Sequence, residues 1–494
     1  MNLHRDTSCG PARHGGPALV ALCAALALAG CVSSAGIAPQ AQTMSAAAVG
    51  VAPTAAATPL SDAWWRAFEE PQLDALVAAA LVANPNLALA RSRIERASAA
   101  ADAARANEGP RVDGALDVAR QRYTENGLVP PPIAGSVGNT GLLQLSGSWE
   151  LDFFGKNAAA LASALGSQRA AEAEVQAARV LLAANVARIY FQLGRLFEQR
   201  AVAERALAQR EEILALIRQR VEAGLDTNVE LRQGEASVPE TQQQIEALDE
   251  QIALTRHALA ALTAQPSDAL DTLHPRLRTV RAVPLPEAIP ADLLGRRADL
   301  EAARQRVEAA TQDVAYSKTL LYPSINLVAF AGLSSLGVNR LINAGSEQYG
   351  AGAAIRLPIF DAGRLRANVR GKTADLDAAV DSYNAALIDA VRDAADQIAS
   401  LQSIARQRAR QADAQGRSEQ AYDLALQRFR AGLGTYLTVL SAEINVLNQR
   451  RLGADLKARE LDSQVALARA LGGGYDARAQ AEPQDHTKSA VAAR

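Results

Sequence analysis

Apolar residues recur at spacings of three, four and seven through a long stretch of the first half of the chain. Such a heptad stripe predicts one uninterrupted helix over about residues 155–223. With a rise of about 1.5 Å per residue, this helix is about 100 Å long, far more than a globular core requires. The stripe consists of Val175, Leu182, Val186, Ile189, Leu193, Leu196, Ala203, Leu207, Leu214, Ile217 and Val221.

The predicted helix ends at Gly224, where glycine suits the left-handed cap that closes many helices. Thr227 and Glu230 then stand at the spacing of a capping box, so a second helix begins at once. The pattern therefore predicts a helical hairpin with a tight tip at residues 223–227.

An internal repeat runs through the chain. Gln219–Thr227 and Gln427–Thr435 share six of nine residues, and further matches lie upstream of both segments. A repeat of this length indicates two copies of one structural unit. We predict a first copy over 61–280 and a second over 281–472, the latter with a long helix over about 363–431 and a tip at 431–435.

Ahead of each long helix the apolar period changes from helical to two. Residues 140–154 alternate most strictly, with Leu143, Leu145 and Trp149 on one face and residues such as Gln144 on the other. Each copy therefore carries one hairpin of strands about ten residues long. The predicted strands cover about 111–123, 140–154, 324–334 and 348–360.

Alternating strands of this length are typical of membrane-spanning β-barrels. Four of them cannot close a barrel, because the smallest single-chain barrels need about eight. An open sheet edge is not tolerated in lipid, so several chains must share one barrel; two chains supply eight strands and three supply twelve. The alternative is a pair of soluble, half-buried hairpins packed on helices.

All three cysteines lie in the first 31 residues, which have the basic and apolar regions of an export signal. Leu28-Ala-Gly-Cys31 resembles a bacterial lipobox, in which Cys31 carries the lipid (palmitate among its acyl chains) and residues 1–30 are removed. Without aspartate after the cysteine, it resembles lipoproteins sent on to the outer membrane. An ordinary signal peptide with a chance cysteine is the alternative. Residues 31–60 are predicted to form a flexible tether, and 473–494 a disordered tail.

Composition narrows the function. The chain is 49% hydrophobic but only 4% aromatic, which suits close-packed, alanine-rich helices. Its net charge of −2 provides no electrostatic footprint for nucleic acid. The histidines beyond the signal, His257, His274 and His486, do not have metal-ligand spacing. We therefore predict a protein that is not an enzyme and that uses no metal or cofactor.

Five motifs and the two tips, together with the duplication, resemble the TolC-like outer-membrane efflux proteins, in the lipoprotein branch that serves resistance-nodulation-division (RND) pumps. The resemblance covers roughly residues 60–472. The five motifs are Asp62-x-Trp-Trp-x-x-Phe-x-x-Pro71, Trp149-Glu-Leu-Asp-x-Phe-Gly155, Ile289-Pro-Ala-Asp-Leu-Leu-Gly-Arg-Arg-Ala-Asp299, Tyr322-Pro-Ser-Ile325 and Leu357-Pro-Ile-Phe-Asp-Ala-Gly-Arg364.

One residue departs from the pattern of that branch. Ala298 stands where these proteins usually have proline, between the arginine pair and Asp299. Since proline favours the first position of a helix, we expect the change to loosen a helix start without altering function.

The resemblance implies a mainly α-helical fold with membrane β-structure. Each internally duplicated protomer of a homotrimer would contribute four strands to a shared twelve-stranded outer-membrane barrel. Its long helices would join a helical barrel that extends into the periplasm of a Gram-negative bacterium. The lipid of Cys31 would anchor the chain in the outer membrane as well.

The implied function is the exit duct of a tripartite efflux pump, as in antibiotic resistance. Drugs or other small molecules would leave passively after an RND-type inner-membrane transporter supplies them through a periplasmic adaptor. Two alternatives stay open at this point: a type I protein-secretion exit channel, and a structural coiled-coil lipoprotein of the envelope.

The tips are the candidate contact site. If the tips were only helix ends, this would explain the basic residues and the glycines. It would not explain why a leucine follows the glycine in both copies. The resemblance implies that the tips dock on the adaptor. The predicted contact residues are Arg220, Ala223, Gly224, Leu225, Arg428, Ala431, Gly432 and Leu433.

A periplasmic constriction is implied beside the second tip. In relatives the helix after that tip carries ringed aspartates, and the aligned positions here are Thr438 and Ser441. These two share a helix face, whereas Glu443 lies on another. A ring of hydroxyls has no carboxylate field, so we expect a weak cation preference.

Overall fold

The computed structural model describes residues 33–50, 60–281 and 296–475. The predicted signal peptide, the Cys31 lipid site and residues 476–494 of the predicted tail lie outside the described residues. Within them the protein is mainly helical with four strands. The predicted fold class is confirmed in these features.

Two pairs of helices dominate the chain, and the pairs match in length. Each long helix has 67 residues and each return helix has 35. Equal lengths in both copies follow from the internal repeat, and each long helix measures about 100 Å. They are the first long helix Lys156–Glu222, the first return helix Asn228–Leu262, the second long helix Arg364–Arg430 and the second return helix Tyr436–Ala470.

The described residues also form three shorter α-helices, at Pro71–Ala83, Pro85–Ala106 and Ala298–Thr319. In the part of the chain that the structure describes, no individual helix combines the length and hydropathy needed to cross a bilayer; the first two of these helices meet that test only when taken together as a bent pair. Length and composition alone support that statement.

Two compact units form, and each takes residues from both copies. Of the described residues, the strand unit contains 33–42, 96–168 and 305–381, and the helix unit contains 43–50, 60–95, 169–281, 296–304 and 382–475. Compactness therefore does not follow the boundary predicted between the copies at residue 281.

The strand unit holds one antiparallel sheet in the order β1-β2-β3-β4. The central pair, β2 with β3, joins the hairpin of the first copy to that of the second. Among the described strands, β1 and β4 each pair on one side only. The strands are β1 Arg111–Arg122, β2 Val137–Leu151, β3 Ser324–Leu336 and β4 Glu347–Arg356.

Two strands end earlier than predicted, and local chemistry explains both ends. The prediction that β2 runs to residue 154 is wrong, because the Asp152 carboxylate instead accepts the Ala158 N–H at 2.9 Å and caps the first long helix. The prediction that β4 runs to residue 360 is also wrong. Pro358 follows Arg356 closely, and proline has no N–H for a ladder.

Register brings the apolar positions of all four strands to one face. Leu143 of β2 lies opposite Leu116 of β1 and Leu333 of β3, and directly opposed residues share a face. Large side chains on this face are open to the surroundings, including Leu145 at 61% and Tyr349 at 86% exposure. A broad apolar sheet face is therefore uncovered in the single chain.

The other face of the sheet is mostly polar, and its large apolar residues are Leu142, Val328, Phe330 and Leu336. Gly332 of β3 lies between Gln144 of β2 and Gln348 of β4 in the register. Since glycine has no side chain, the two amides meet across it, and Gln348 Nε2 donates to Gln144 Oε1 at 3.0 Å. A Cβ on Gly332 would clash with the β2 backbone.

Residues 33–50 contact the second long helix in both units. In the strand unit, the Asp377 carboxylate accepts the Gln40 N–H at 2.8 Å. In the helix unit, the Asn384 side-chain oxygen accepts the Met44 N–H at 2.8 Å. The prediction of a flexible tether is wrong for these residues, because side chains far along the sequence satisfy their backbone.

The helix unit has a core that explains the first motif. Trp64 and Phe68, both within 5% exposure, pack beside the first long helix, and the Phe68 ring meets Phe191 edge-on at 5.0 Å. The Tyr190 hydroxyl donates to Glu70 at 3.0 Å. The aromatic motif therefore anchors the start of the described helix unit to the long helix.

The predicted disordered tail begins too early. Gly473 and Gly474 have left-handed φ values of +56° and +82° and are well ordered against the core. A Cβ on Gly473 would clash with the Val180 side chain, and one on Gly474 would clash with the Ser61 carbonyl. The glycines are needed because only a bare backbone fits here.

Candidate functional site

The two helical hairpins end in tips with nearly the same backbone, both in the helix unit. Gly224 has a φ of +71° and Gly432 a φ of +74°. In each tip the glycine N–H donates three residues back at 3.0 Å, and the next N–H donates five residues back at 2.8 Å. This pair of bonds is a Schellman cap, which accepts the left-handed glycine without strain.

A leucine follows the glycine in both tips and stays uncovered. Leu225 is 66% exposed and Leu433 is 71% exposed. In a Schellman cap this residue often packs on the one five positions earlier, but Arg220 and Arg428 stand there. Closing the helix therefore does not account for the exposed leucines.

A second apolar position extends each tip. Val229 and Leu437 occupy equivalent places in the two return helices and are 62% and 61% exposed. Together with the two leucines they form what we call the tip patch: Leu225, Val229, Leu433 and Leu437. Four exposed apolar side chains at the ends of polar helices suit a contact with another protein.

The first tip is held by an ion pair. The Arg220 guanidinium donates to the Asp226 carboxylate twice, at 2.8 and 3.0 Å. Both side chains are largely shielded, at 13% and 12% exposure. A two-pronged bond of this kind fixes orientation as well as distance, so the turn after Gly224 is tied to the long helix.

A capping box completes the first tip. The Thr227 hydroxyl accepts the Val229 N–H at 3.2 Å, and the Glu230 carboxylate accepts the Thr227 N–H at 3.0 Å. The Thr227 hydroxyl also bonds Glu230, and this bond lowers the pKa of the Glu230 carboxyl. The return helix therefore starts at a defined residue, as the sequence predicted.

Arg220 also reaches from the first tip to the second. Its Nη1 lies 3.5 Å from the Phe429 carbonyl oxygen, and its Cζ lies 4.9 Å from the centroid of the Phe429 ring. Phe429 itself is fully buried. The cation over an aromatic face and the shared carbonyl couple the two tips.

The second tip lacks these supports. Gly434 and Thr438 stand where the first tip has Asp226 and Glu230. Arg428 is exposed, and within the described part of the chain its side chain makes one hydrogen bond, a donation to the Leu433 carbonyl at 3.4 Å. Arg220 and Arg428 occupy equivalent positions in the repeat, but their side chains make different contacts in the structure.

Thr438 and Ser441 lie on one exposed face of the second return helix. Their hydroxyls bond within their own helix end, Thr438 with Thr435 at 3.0 Å and Ser441 to the Leu437 carbonyl at 2.8 Å. Glu443 lies on the opposite, buried face. A neutral hydroxyl face beside the second tip is therefore present.

A buried ion pair lies behind the tips and was not predicted. Arg210 of the first long helix donates from Nε to Glu443 Oε2 at 3.1 Å, with side chains 10% and 3% exposed. Arg210 also donates to the Thr241 hydroxyl at 2.8 Å. The other carboxylate oxygen, Oε1, is buried without a partner among the described residues.

Burial sets the protonation behaviour around this pair. It raises the pKa of Glu443, and the charge and hydrogen bond of Arg210 offset part of that effect. Burial likewise raises the pKa of Tyr422 to about 12, with the Glu443 charge adding to it. Buried ionisable groups among apolar side chains are costly unless paired, so this contact depends on both partners.

Sequence periodicity could not reveal these contacts. Arg210 and Glu443 each sit in a helix whose pattern is satisfied without them. The only local signal was that Glu443 occupies a position equivalent to Glu235, which is half-buried. No group of three or more His, Cys, Asp or Glu suited to a metal ion occurs among the residues that the structure describes.

Comparison with known proteins identifies the same two copies. The sequence profile of the "outer membrane efflux protein" family matches residues 76–265 and 289–473, one range in each copy. The chain is 34% identical over 420 residues to "Multidrug resistance outer membrane protein MdtQ" of Escherichia coli O157:H7, covering 83% of this chain and 88% of that protein.

Two further proteins extend the likeness. "Pyoverdine export outer membrane protein OpmQ" of Pseudomonas putida is 32% identical, over 84% of this chain and 88% of its own length. The crystal structure of outer membrane protein VceC from Vibrio cholerae superposes with a TM-score of 0.80 at 32% identity, covering 85% of this chain and all of VceC.

Proposed function

Since this chain belongs to the outer membrane efflux protein family, we propose that three copies of it form the exit duct of a tripartite efflux pump. In this proposal, an RND-type transporter in the inner membrane supplies drugs or other small molecules through a periplasmic adaptor. The duct conducts them passively and carries out no chemical step.

The single observation that carries the proposal is the four-stranded sheet. It has one broad apolar face, and β1 and β4 each leave an edge unpaired among the described strands. Hydrocarbon offers no partner to an open edge, and about eight strands are the least that close a barrel. Three such sheets joined edge to edge supply twelve strands, with lipid outside and water inside.

The tips support the partner in the proposal. The tip patch presents four apolar side chains on a rigid turn, which suits docking of an adaptor protein. Of the other contact residues named from the sequence, Arg220 is shielded by its ion pair. The rest are exposed, namely Ala223, Gly224, Arg428, Ala431 and Gly432. Adaptor binding at this surface would hold the two tips through the Arg220 contact to Phe429.

Thr438 and Ser441 are proposed to line the periplasmic constriction. Their exposed hydroxyls carry no charge, so three copies would give the entrance little preference for cations. Conductance across a planar bilayer, with multivalent cations added on the tip side, tests this placement. Tight block that survives replacement of both residues would place the constriction elsewhere.

Cys31 is proposed as the lipid attachment site on the strength of the lipobox. Radioactive palmitate should label the wild type and not Cys31→Ser. Equal labelling of both would refute the lipid anchor and leave the duct untouched, because the strands themselves would hold the protein in the membrane.

The mass of the purified protein in detergent tests the shared barrel. We expect three protomers per particle, and a folded, sheet-containing single protomer would overturn the proposal. Small molecules are favoured over secreted proteins because the relatives are named for multidrug resistance and pyoverdine export. A structural spacer is disfavoured because it has no need of the sheet.

A further inference from the structure

Three of the sequence motifs meet around one cavity in the strand unit. Segments 149–155, 322–325 and 357–364 all line it, and its volume is about 340 Å³. It lies where β2 and β4 end and β3 begins, beside the first residues of both long helices. We call it the junction cavity; the residues used below are Glu150, Phe154, Lys156, Tyr322, Arg356 and Arg364.

The two copies contribute different charged residues to the junction cavity. In the first copy, Glu150 near the end of β2 accepts two hydrogen bonds of 2.9 Å from Lys156, the first residue of the long helix. When Leu151 is aligned with Leu357, Arg356 takes the place of Glu150. Arg364 begins the second long helix as Lys156 begins the first. An acid–base pair thus has two arginines as its counterpart.

The two arginines have no ion-pair partner among the described residues. Neither Arg356 nor Arg364 forms a side-chain hydrogen bond or ion pair within the described residues, and both are exposed. Asp152 and Asp361 do not hydrogen-bond to the arginines, because their carboxylates cap the long helices by accepting backbone N–H groups at 2.9 and 2.7 Å. The charged side chains that line the cavity are Lys156, Arg356 and Arg364 against Glu150 and Asp152, so the wall has an excess of one positive charge.

The strand register shows on which face of the sheet Arg356 lies. Arg356 lies opposite Ser324, and residues two apart along a strand share a face, so both belong to the series that includes Gln144 and Gln348. That series is the mostly polar face. In the proposed barrel this face meets the water-filled interior, so the arginines meet exported molecules and not lipid.

Aromatic rings form another part of the wall. Phe154 and Tyr322 stack with ring centroids 5.1 Å apart and planes 9° apart. They are 44% and 54% exposed, so ring surface remains available. A stacked platform beside free guanidinium groups suits a flat molecule that carries an anionic group.

We propose that the junction cavity binds aromatic organic anions, with Arg356 and Arg364 holding the anionic group and the Phe154–Tyr322 stack contacting the ring. The inference rests on the proposed function, because exported molecules would reach the junction cavity as they pass through the duct. Its volume lies within the range of about 300–1,000 Å³ that small-molecule sites occupy.

Binding of a fluorescent carboxylate tests the inference on the full-length protein in detergent. Anthranilate is the probe, 2-aminobenzamide is its uncharged analogue, and fluorescence anisotropy reports the bound fraction. We expect anthranilate to bind and 2-aminobenzamide to bind about tenfold more weakly or worse, since one hydrogen bond to a charged group corresponds to about that factor.

Variants identify the site. Arg356→Gln with Arg364→Gln should weaken anthranilate binding by about tenfold or more. Arg340→Gln is the matched control, because Arg340 belongs to the same unit, in the segment between β3 and β4, and is exposed. Its side chain, like those of the two arginines, has no partner among the residues that the structure describes. Arg340→Gln should leave binding unchanged. Arg356→Lys with Arg364→Lys, which keeps the charge, should retain most of the affinity if the double glutamine variant does not fold.

Three outcomes would overturn the inference. The first is equal binding of anthranilate and 2-aminobenzamide. The second is a loss of anthranilate binding in Arg340→Gln as large as in the double glutamine variant. The third is no binding by the intact oligomer, which is expected if a neighbouring copy neutralises the arginines. Failure of the duct is separable, because anthranilate bound by a protein that conducts no ions in a bilayer would refute the proposed function and keep the site.

Discussion

The first tip and the second tip have the same backbone but different supports. Both close on a left-handed glycine with the same two hydrogen bonds, and both expose a leucine. The first adds the Arg220–Asp226 ion pair and a capping box. The second has neither, and its buried Phe429 lies against Arg220 of the first.

The comparison teaches that both copies keep the exposed apolar side chains of the tip, but that the polar contacts supporting the tips lie mainly in the first copy. The tip patch draws equally on both copies, whereas most of the polar contacts that fix it belong to the first. The buried Arg210–Glu443 pair extends this division, because it ties the return helix of the second copy to the long helix of the first. Removing supports on each side should therefore have unequal effects.

The largest inequality is expected between Glu443 and Glu235, which occupy equivalent positions. Glu443→Ala leaves Arg210 buried without its partner and should destabilise the helix unit by about 3–5 kcal/mol. Glu235 is half-buried and pairs with the exposed Arg232 at 2.7 Å and the exposed Arg218 at 3.9 Å, so Glu235→Ala should cost less than about 1 kcal/mol. Thermal unfolding in detergent at one fixed heating rate compares the two. Equal losses would show that the second hairpin does not depend on the first.

The pH dependence of stability sharpens the same comparison. Burial raises the pKa of Glu443, so the folded protein binds a proton that the unfolded chain releases. The stability from this group is complete below the ordinary carboxyl pKa and is lost as the pH rises through the raised value. Glu443→Gln should remove this part of the pH profile, and Glu235→Gln should retain it. A profile unchanged by Glu443→Gln would contradict the assignment.

Arg220 and Arg428 should differ next. Arg220→Ala removes a shielded ion pair and a cation–aromatic contact, which together are worth about 2 kcal/mol. Arg428→Ala removes one long bond at the surface and should cost less than about 0.5 kcal/mol. Adaptor binding measured on immobilised protein should fall with the first change and persist with the second. Equal effects would mean that the two tips are independent.

The tip glycines should respond similarly to each other, because their cap is shared. Gly224→Val and Gly432→Val meet no close atoms, so the expected cost is the left-handed strain of about 1–2 kcal/mol. Coupling to the adaptor should fail before folding does, which drug-susceptibility assays and sheet content measure together. Gly416→Val is the control, since Gly416 lies inside a helix in open space. Full efflux by both tip variants would reduce the tips to turns.

The smallest expected contrast concerns the caps. Thr227 accepts a backbone bond within a capping box, whereas Thr435 accepts one at 3.4 Å without an acidic partner. Thr227→Ala should therefore cost about 1 kcal/mol, and Thr435→Ala a few tenths. Hydrogen exchange at the first turn of each return helix resolves them. More exchange in the second case would reverse the proposed order of support.

Local patterns were enough to predict the long helices and their tips. Lys156–Glu222 and Arg364–Arg430 end within a residue of the bounds expected from the heptads and the glycines. The reason is physical: a helix period and a Schellman cap are both set by residues within a few positions of each other. The exposed leucines of the tip patch were recognised for the same reason.

Contacts between distant segments could not be predicted in this way. Residues 33–50 have no period, yet they are held by Asp377 and Asn384 of a helix that lies hundreds of residues further on. Arg210 and Glu443 likewise meet only because two helices of different copies pack together. Composition describes such segments as unstructured because it contains no information on their partners.

The pairing of β2 with β3 has a consequence for the making of this protein. Between these strands lie the whole first helical hairpin and the helix Ala298–Thr319. At about 5–20 residues per second, the ribosome delivers β3 on the order of ten seconds after β2. Throughout that interval β2 presents an apolar strand with a free edge, which is an aggregation hazard. We expect cells to need a chaperone that shields the first hairpin until the second copy has been synthesised.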